Sequence, residues 1–271
     1  MGAVFPAGVT YICKKEFAMR GSILYIALIL VLTSCGGKGV DSKKADGKKG
    51  TITSETPAGN TAGQQAGVKA ITGFFGGTCK VTTGADAETG AAKRFIKVEI
   101  SRSGALDSAM RITELNAANI AMMFYTSLKS EIINYDEVIT VILFGDGQSV
   151  EKKYPVTTLN MVLRKTQVVM NVVGSLKEKK YDVLEQILND NNGILQYNKK
   201  TLMDKIRKAE PSLGEVKSFV PYGFVFLKSQ NKKDILRISG TVIRDKQNHE
   251  FSVDIDTNDM KDQALFLNYK L

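Results

Sequence analysis

At Gly214 the hydrophobic period of the chain changes from that of helices to that of strands, and this limits the fold more than any other feature. In the helical stretches upstream, apolar residues recur every three or four positions; Ile112, Leu115, Ala118, Met122 and Met123 lie on one helical face, continued by Leu128 and Ile132. Downstream the spacing is two, with strands expected at 215–227, 234–244, 250–256 and 265–271, separated by Asn- and Lys-rich turns. A run of helices feeding a run of antiparallel strands is an α+β pattern, with helices packed on a curved antiparallel sheet. Gly223 inside the first strand predicts a bulge or bend.

The segment before Gly214 divides further. Residues 94–100 alternate as a strand, 104–107 form a turn, and a helix is expected over about 112–133. The apolar, β-branched run 136–144 reads as a strand covered on both faces, closed by Gly145-Asp146-Gly147 and paired with 149–154 as a hairpin. Thr157 or Thr158 caps the next helix, with Leu159, Val162, Leu163, Val169, Met170 and Val173 inward and Gly174 as a point of interruption. A helical run over 181–188 follows. Asn198 is then a cap for a helix over 199–208, stopped by Pro211.

Tyr181-Asp182-Val183-Leu184, Thr201-Leu202, Gly214-Glu215-Val216-Lys217-Ser218 and Ala264-Leu265-Phe266-Leu267 follow one another in a recognisable order. In this, residues 177–271 resemble a cystatin-like or NTF2-like domain, a helical layer on a strongly curved sheet. The resemblance implies a cone whose wide mouth holds an apolar pocket, with Tyr222, Phe224, Phe226, Phe251 and Phe266 as lining or as plain core.

The N-terminus carries an address. Ile23 to Leu32 is a run of ten apolar residues; as a helix it rises about 15 Å, half the thickness of a bilayer core, and so has the length of a secretory signal rather than a span. Thr33-Ser34-Cys35 follows at once, completing Leu32-Thr33-Ser34-Cys35. It resembles the bacterial lipobox, which implies cleavage between Ser34 and Cys35, acylation of the Cys35 thiol and attachment to a membrane. Burial of acyl chains stabilises anchoring by about 0.8 kcal/mol per CH₂, and stable attachment takes more than one chain. No acidic residue follows Cys35 directly, which by the resemblance favours the outer membrane over the inner. Met19 opens a compact leader of its own, so translation is expected to start there.

Residues 36–67 contain almost no large apolar side chain and cannot offset their chain entropy by burial. A flexible chain of that length spans roughly 30 Å, suited to a tether. The expected organisation is thus a signal peptide over 1–34, a disordered linker over 35–67, an αβ lobe over 68–176 and the cystatin-like or NTF2-like lobe over 177–271.

Composition narrows the chemistry. One histidine and three cysteines exclude multi-histidine metal centres and zinc clusters. Of the net charge of +9, residues 1–34 and 35–67 contribute +2 each and 68–271 the remaining +5. Lys152-Lys153, Lys179-Lys180 and Lys232-Lys233 are dispersed, unlike a phosphate-tracking surface, so nucleic acid is not an expected partner. His249 between Asn248 and Glu250 reads as an exposed turn residue, and Cys79 as an incidental free thiol. Gly73-Phe74-Phe75-Gly76-Gly77 lacks the strand and the Gly-Lys-Ser/Thr of a phosphate loop. Asp254, Asp256, Asp259 and Asp262 lack the glycine and glutamate of a calcium loop and read as a solvated strand end. Met110, Met122, Met123, Met161 and Met170 read as core filling rather than a copper site.

Three functions follow as expectations: a non-enzymatic envelope binding or assembly module with a protein partner, an NTF2-like enzyme using a carboxylate or Tyr in the cone, or a carrier of a small apolar ligand. The first is favoured, needs no cofactor or metal, and has the membrane as partner through Cys35.

Overall fold

The computed structural model describes residues 53–57, 61–86, 92–189, 198–228, 234–257 and 262–269. Ser34, Cys35 and the whole leader lie outside these residues.

The described residues are α+β, with two open sheets and helices between and against them. The first sheet is built from β1 (Thr53–Pro57), β2 (Thr78–Asp86), β3 (Lys93–Ser101), β4 (Glu137–Leu143) and β5 (Ser149–Pro155), side by side in that order. Ile96, Val98 and Ile100 alternate along β3 and are fully buried; Val138 and Ile142 stand beside Ile96 and Ile100 in register on β4. The β3–β4 pair is parallel, because the link between them crosses over one face through helices rather than turning back, while the other pairs are antiparallel. The expected hairpin of β4 and β5 forms, its turn closed by Phe144 N–H donating to the Gln148 carbonyl at 2.9 Å.

Helix α1 (Ala62–Phe75) begins inside the stretch expected to be a tether, and β1 lies wholly within it. Thr61 caps α1, its hydroxyl accepting from the Gln64 N–H. The packed face of α1 is made of Gly63, Gln64, Gly67, Ile71 and Phe75. A Cβ on Gly67 would collide with the Phe124 ring, so the absence of side chain is what lets this helix approach its neighbour.

That neighbour is α3 (Thr113–Leu128), the crossover helix. The expected turn at 104–107 is instead a short helix, α2 (Gly104–Ser108), started by the Ser103 hydroxyl accepting from Leu106 N–H at 3.2 Å. Helix α3 stops at Leu128, and a 3-10 turn (Lys129–Asn134) covers the rest of the expected helix. From Asn116 to Tyr125 only Met122 is not buried, because α3 has α1 and the first sheet on one side and the second sheet on the other.

The second sheet is a meander, β6 (Val216–Lys228), β7 (Asp234–Arg244), β8 (His249–Asp256) and β9 (Ala264–Tyr269), in sequence order and antiparallel throughout. The expected bulge is present: the register of β6 on β7 shifts between Pro221 and Gly223. Gly223 has φ +135°, and a Cβ there would strike the Leu115 carbonyl of α3. Asn119 of α3 donates to the Pro221 carbonyl at 3.2 Å, fixing the same crossing.

Three further helices follow β5, the first of which touches both sheets. Helix α4 (Val156–Lys177) starts directly after Pro155 without a side-chain cap, so neither Thr157 nor Thr158 serves as one. It runs unbroken through Gly174, and Leu163 and Met170 face outward while Leu159, Val162, Val169 and Val173 are buried. After α5 (Tyr181–Ile187), helix α6 (Lys199–Leu213) is capped by Asn198 as expected, the side chain accepting from Thr201 N–H at 3.0 Å. Pro211 does not stop α6. The helix continues to Leu213 and ends at Gly214, whose φ of +84° turns the chain into β6.

Candidate functional site

The charged groups of the second sheet converge on one end of α6. Along β7 the residues Leu236, Ile238, Val242 and Arg244 share the helix-covered face, so the alternation that builds the core also delivers a guanidinium into it. His249 opens β8 directly opposite Val242, and Tyr269 on β9 lies opposite Phe251, which puts both rings on that same face. Glu210, in the last turn of α6, meets them from the helix side.

Arg244 is completely enclosed and each of its five N–H groups finds an acceptor. Nη1 donates to Glu210 Oε2 at 3.0 Å and to the Gly214 carbonyl at 2.6 Å; Nη2 donates to Glu210 Oε1 at 2.5 Å and to the Tyr269 hydroxyl at 2.7 Å. Nε donates to Nδ1 of His249 at 3.3 Å. The Tyr269 hydroxyl in turn donates to Glu210 Oε1. Because Nδ1 accepts, the imidazole is neutral with its proton on Nε2, and that buried nitrogen has no hydrogen-bond partner among the described residues.

The turn joining β7 to β8 is tied to the end of α6 by further bonds. Asp245 accepts from Glu215 N–H at 2.6 Å, Gln247 N–H donates to the Leu213 carbonyl at 3.1 Å, and Lys246 Nζ donates to the Pro211 carbonyl at 3.1 Å. Asn248 accepts from Arg244 N–H at 2.8 Å, closing the hairpin.

Burial, aided by the Arg244 charge, pushes His249 down to about 4, against the weaker pull of Glu210. Burial, and a hydrogen bond to Glu210, push the Tyr269 hydroxyl far above the usual phenol range. Both groups are held in their neutral forms.

On the opposite face of the sheet lies an open groove of about 440 Å³, formed along Val220 and Tyr222 of β6, Thr241 and Ile243 of β7, and Asn248, His249 and Glu250 at the start of β8. Val220, Thr241 and Glu250 are cross-strand neighbours, so their side chains share this face. His249 contributes backbone, its ring being on the other side. The Tyr222 and Thr241 hydroxyls are hydrogen-bonded to each other. The groove thus offers aliphatic walls, paired hydroxyls and a carboxylate.

Of the five aromatics expected at a pocket, only Tyr222 lines this groove. Phe224 and Phe251 are buried in the core, Phe226 is exposed with its edge on Phe224, and Phe266 is half-buried on β9. His249 is not an exposed turn residue: it is 6 % exposed, because the hairpin is tight enough for β8 to begin at His249 itself. Nor is the acidic stretch a solvated strand end at Asp254 and Asp256, which are both buried. Asp254 is held by Arg237 at 2.6 and 2.8 Å; Asp259 lies outside the described residues, and Asp262 is exposed. Cys79 pairs with Ile100 across the β2–β3 ladder, and burial, with Glu99 nearby, pushes its thiol up to about 12. The Gly73–Gly77 run is the C-terminal end of α1 and its turn into β2. Met123 is core and Met122 and Met161 pack against it, but Met110 and Met170 are exposed.

Glu210, Arg244 and Tyr269 went unread in the sequence, since each looks like a polar position at an element's end. The available signal was the strict alternation of β7, which requires Arg244 to face inward if Val242 does. Comparison of the chain with protein families, with curated proteins and with solved structures finds no match.

Proposed function

We propose that this protein is a lipid-anchored bacterial envelope lipoprotein whose α+β body is a non-enzymatic binding or assembly module. The anchor reading rests on Leu32-Thr33-Ser34-Cys35, which begins at the last of ten consecutive apolar residues, with acyl chains on Cys35 and the outer membrane as the favoured location. We read residues 177–271 as a variant of the cystatin-like or NTF2-like arrangement, supported by the four-stranded antiparallel meander and by α6, whose end is bonded to β7 and its hairpin.

One observation favours binding over catalysis. His249, with Glu210 of α6 and Tyr269 of β9, is bound to Arg244 on the covered face, whereas the groove opens on the other, where the Tyr222 hydroxyl is tied to Thr241 and Glu250 supplies the carboxylate. A general acid or base must reach its substrate within hydrogen-bond distance. The groove instead presents Tyr222, Thr241 and Glu250 between aliphatic walls, surface chemistry suited to a segment of an envelope protein.

Two measurements test the reading. Metabolic labelling with an alkyne fatty acid should mark the wild type and leave Cys35→Ala unlabelled and in the soluble fraction; membrane retention of that variant would defeat the anchor. A photo-crosslinking residue at Thr241 should capture one defined envelope partner that the same residue at Asn171 on α4 does not; equal capture at both positions would defeat the groove.

A further inference from the structure

The chain has a single histidine, and the structure encloses it beside a guanidinium. The Nδ1 lone pair of His249 already accepts the Arg244 Nε–H, so a second proton has no room at that nitrogen while the contact persists. Proton uptake would require Nδ1 to give up its bond, leaving two cations side by side in a buried site.

Charged and titratable groups approach the imidazole from several elements. Arg244 comes from β7, Glu210 from α6 and Tyr269 from β9, its ring 4.5 Å from the imidazole between centroids. Tyr181 of α5, with Arg207 of α6 over its ring at 6.0 Å, stands behind Glu210. Glu250, next along β8, points to the opposite face. Glu210 is the only anion among these on the helix-covered face, and both its oxygens are engaged by Arg244. A protonated His249 would therefore compete with Arg244 for a carboxylate already spent.

We propose that the His249–Arg244 contact is an acid-released latch between α6 and the β7–β8 hairpin: protonating the imidazole separates it from the guanidinium and frees the C-terminal end of α6. The bonds that hold this end, from Arg244 to Glu210 and Gly214 and from the hairpin to Pro211 and Leu213, all converge on the same few residues. They are thus placed to yield together. The latch is independent of what the groove holds, although Ile243, Asn248 and Glu250 of that hairpin form part of its lining.

The direction with pH follows from which state binds the proton. A freed imidazole takes up a proton near its ordinary value of about 6.5, whereas the enclosed one, which must give up its bond to Arg244 to do so, takes one only near 4. The latch is therefore at full strength above about pH 6.5, weakens about tenfold per pH unit below that, and stops weakening by this route below about pH 4.

Hydrogen exchange on the full chain tests this, read at α6 amides and corrected for the intrinsic pH dependence of exchange. Opening of α6 should rise about tenfold per pH unit from pH 6.5 to 4 while the β3 and β4 amides keep their protection. His249→Asn retains an acceptor near the Nδ1 position that does not titrate in this range, and should abolish the rise. A rise of the same size in His249→Asn would assign the effect to a group other than His249 and overturn the latch, as would unchanged α6 protection in the wild type. Proton NMR of the lone imidazole gives a second reading without any variant: a midpoint near 4 in the folded protein supports the latch, and one near 6.5 overturns it.

Discussion

Glu210 and Arg244 form a bidentate ion pair inside the protein, the arginine side chain 0 % and the glutamate 7 % exposed. Such a pair gains little over well-packed apolar residues, but breaking it leaves a bare charge in the interior. Arg244→Met should therefore lower unfolding stability by about 3–5 kcal/mol. The double variant Glu210→Leu/Arg244→Met should recover at least half of that loss. Urea denaturation of the single and double variants checks both values.

Gly223→Ala should be among the most damaging single-methyl additions in the chain. It places a Cβ against the Leu115 carbonyl and requires φ near +135° from an alanine. Strain and overpacking together should cost about 3 kcal/mol or more. A thermal melt showing Gly223→Ala within about 0.5 kcal/mol of the wild type would mean that α3 does not cross β6 at this point.

Asn198→Ala should cost about 1 kcal/mol, the usual value of a lost N-cap, through fraying of the first turn of α6. Exchange of the Thr201 amide should accelerate, while amides in the last turn of the same helix should not. Asn198→Asp should retain most of the stability, since it keeps the acceptor.

Cys79 should be nearly inert towards thiol reagents while the protein is folded. A thiol raised to about 12 from an ordinary 9.0 holds about a thousandfold less thiolate at pH 8. With Cys13 and Cys35 replaced by serine, Ellman's reagent at pH 8 should react with the native chain at least a hundredfold more slowly than with the urea-unfolded chain.

The second sheet was legible in the sequence because its strands alternate cleanly, and the bulge was legible because a glycine interrupts that alternation. Asn198 was legible as a cap, since it stands just ahead of an amphipathic run. Helix α1 was not, for a physical reason: its packed face uses Gly63 and Gly67, which carry no apolar signal, although Gly63, Gly67, Ile71 and Phe75 do recur at intervals of four. Pro211 and Gly174 looked like helix breakers, yet tertiary contacts carry both helices past them. The site failed to show for a related reason. Glu210, Arg244, His249 and Tyr269 stand at element ends, where polar residues are ordinarily solvated. Only the sheet register reveals that all four face one another.

Helix α3 meets the first sheet on one side and β6 on the other. For a chain made from its N-terminus, this means that α3 emerges well before the strand that will cover it. An α3 face containing Leu115, Asn119 and Met123 stays open to chaperones and proteases during that interval. Chains truncated before Val216 should accordingly be cleared by quality control rather than accumulate as a stable N-terminal fragment.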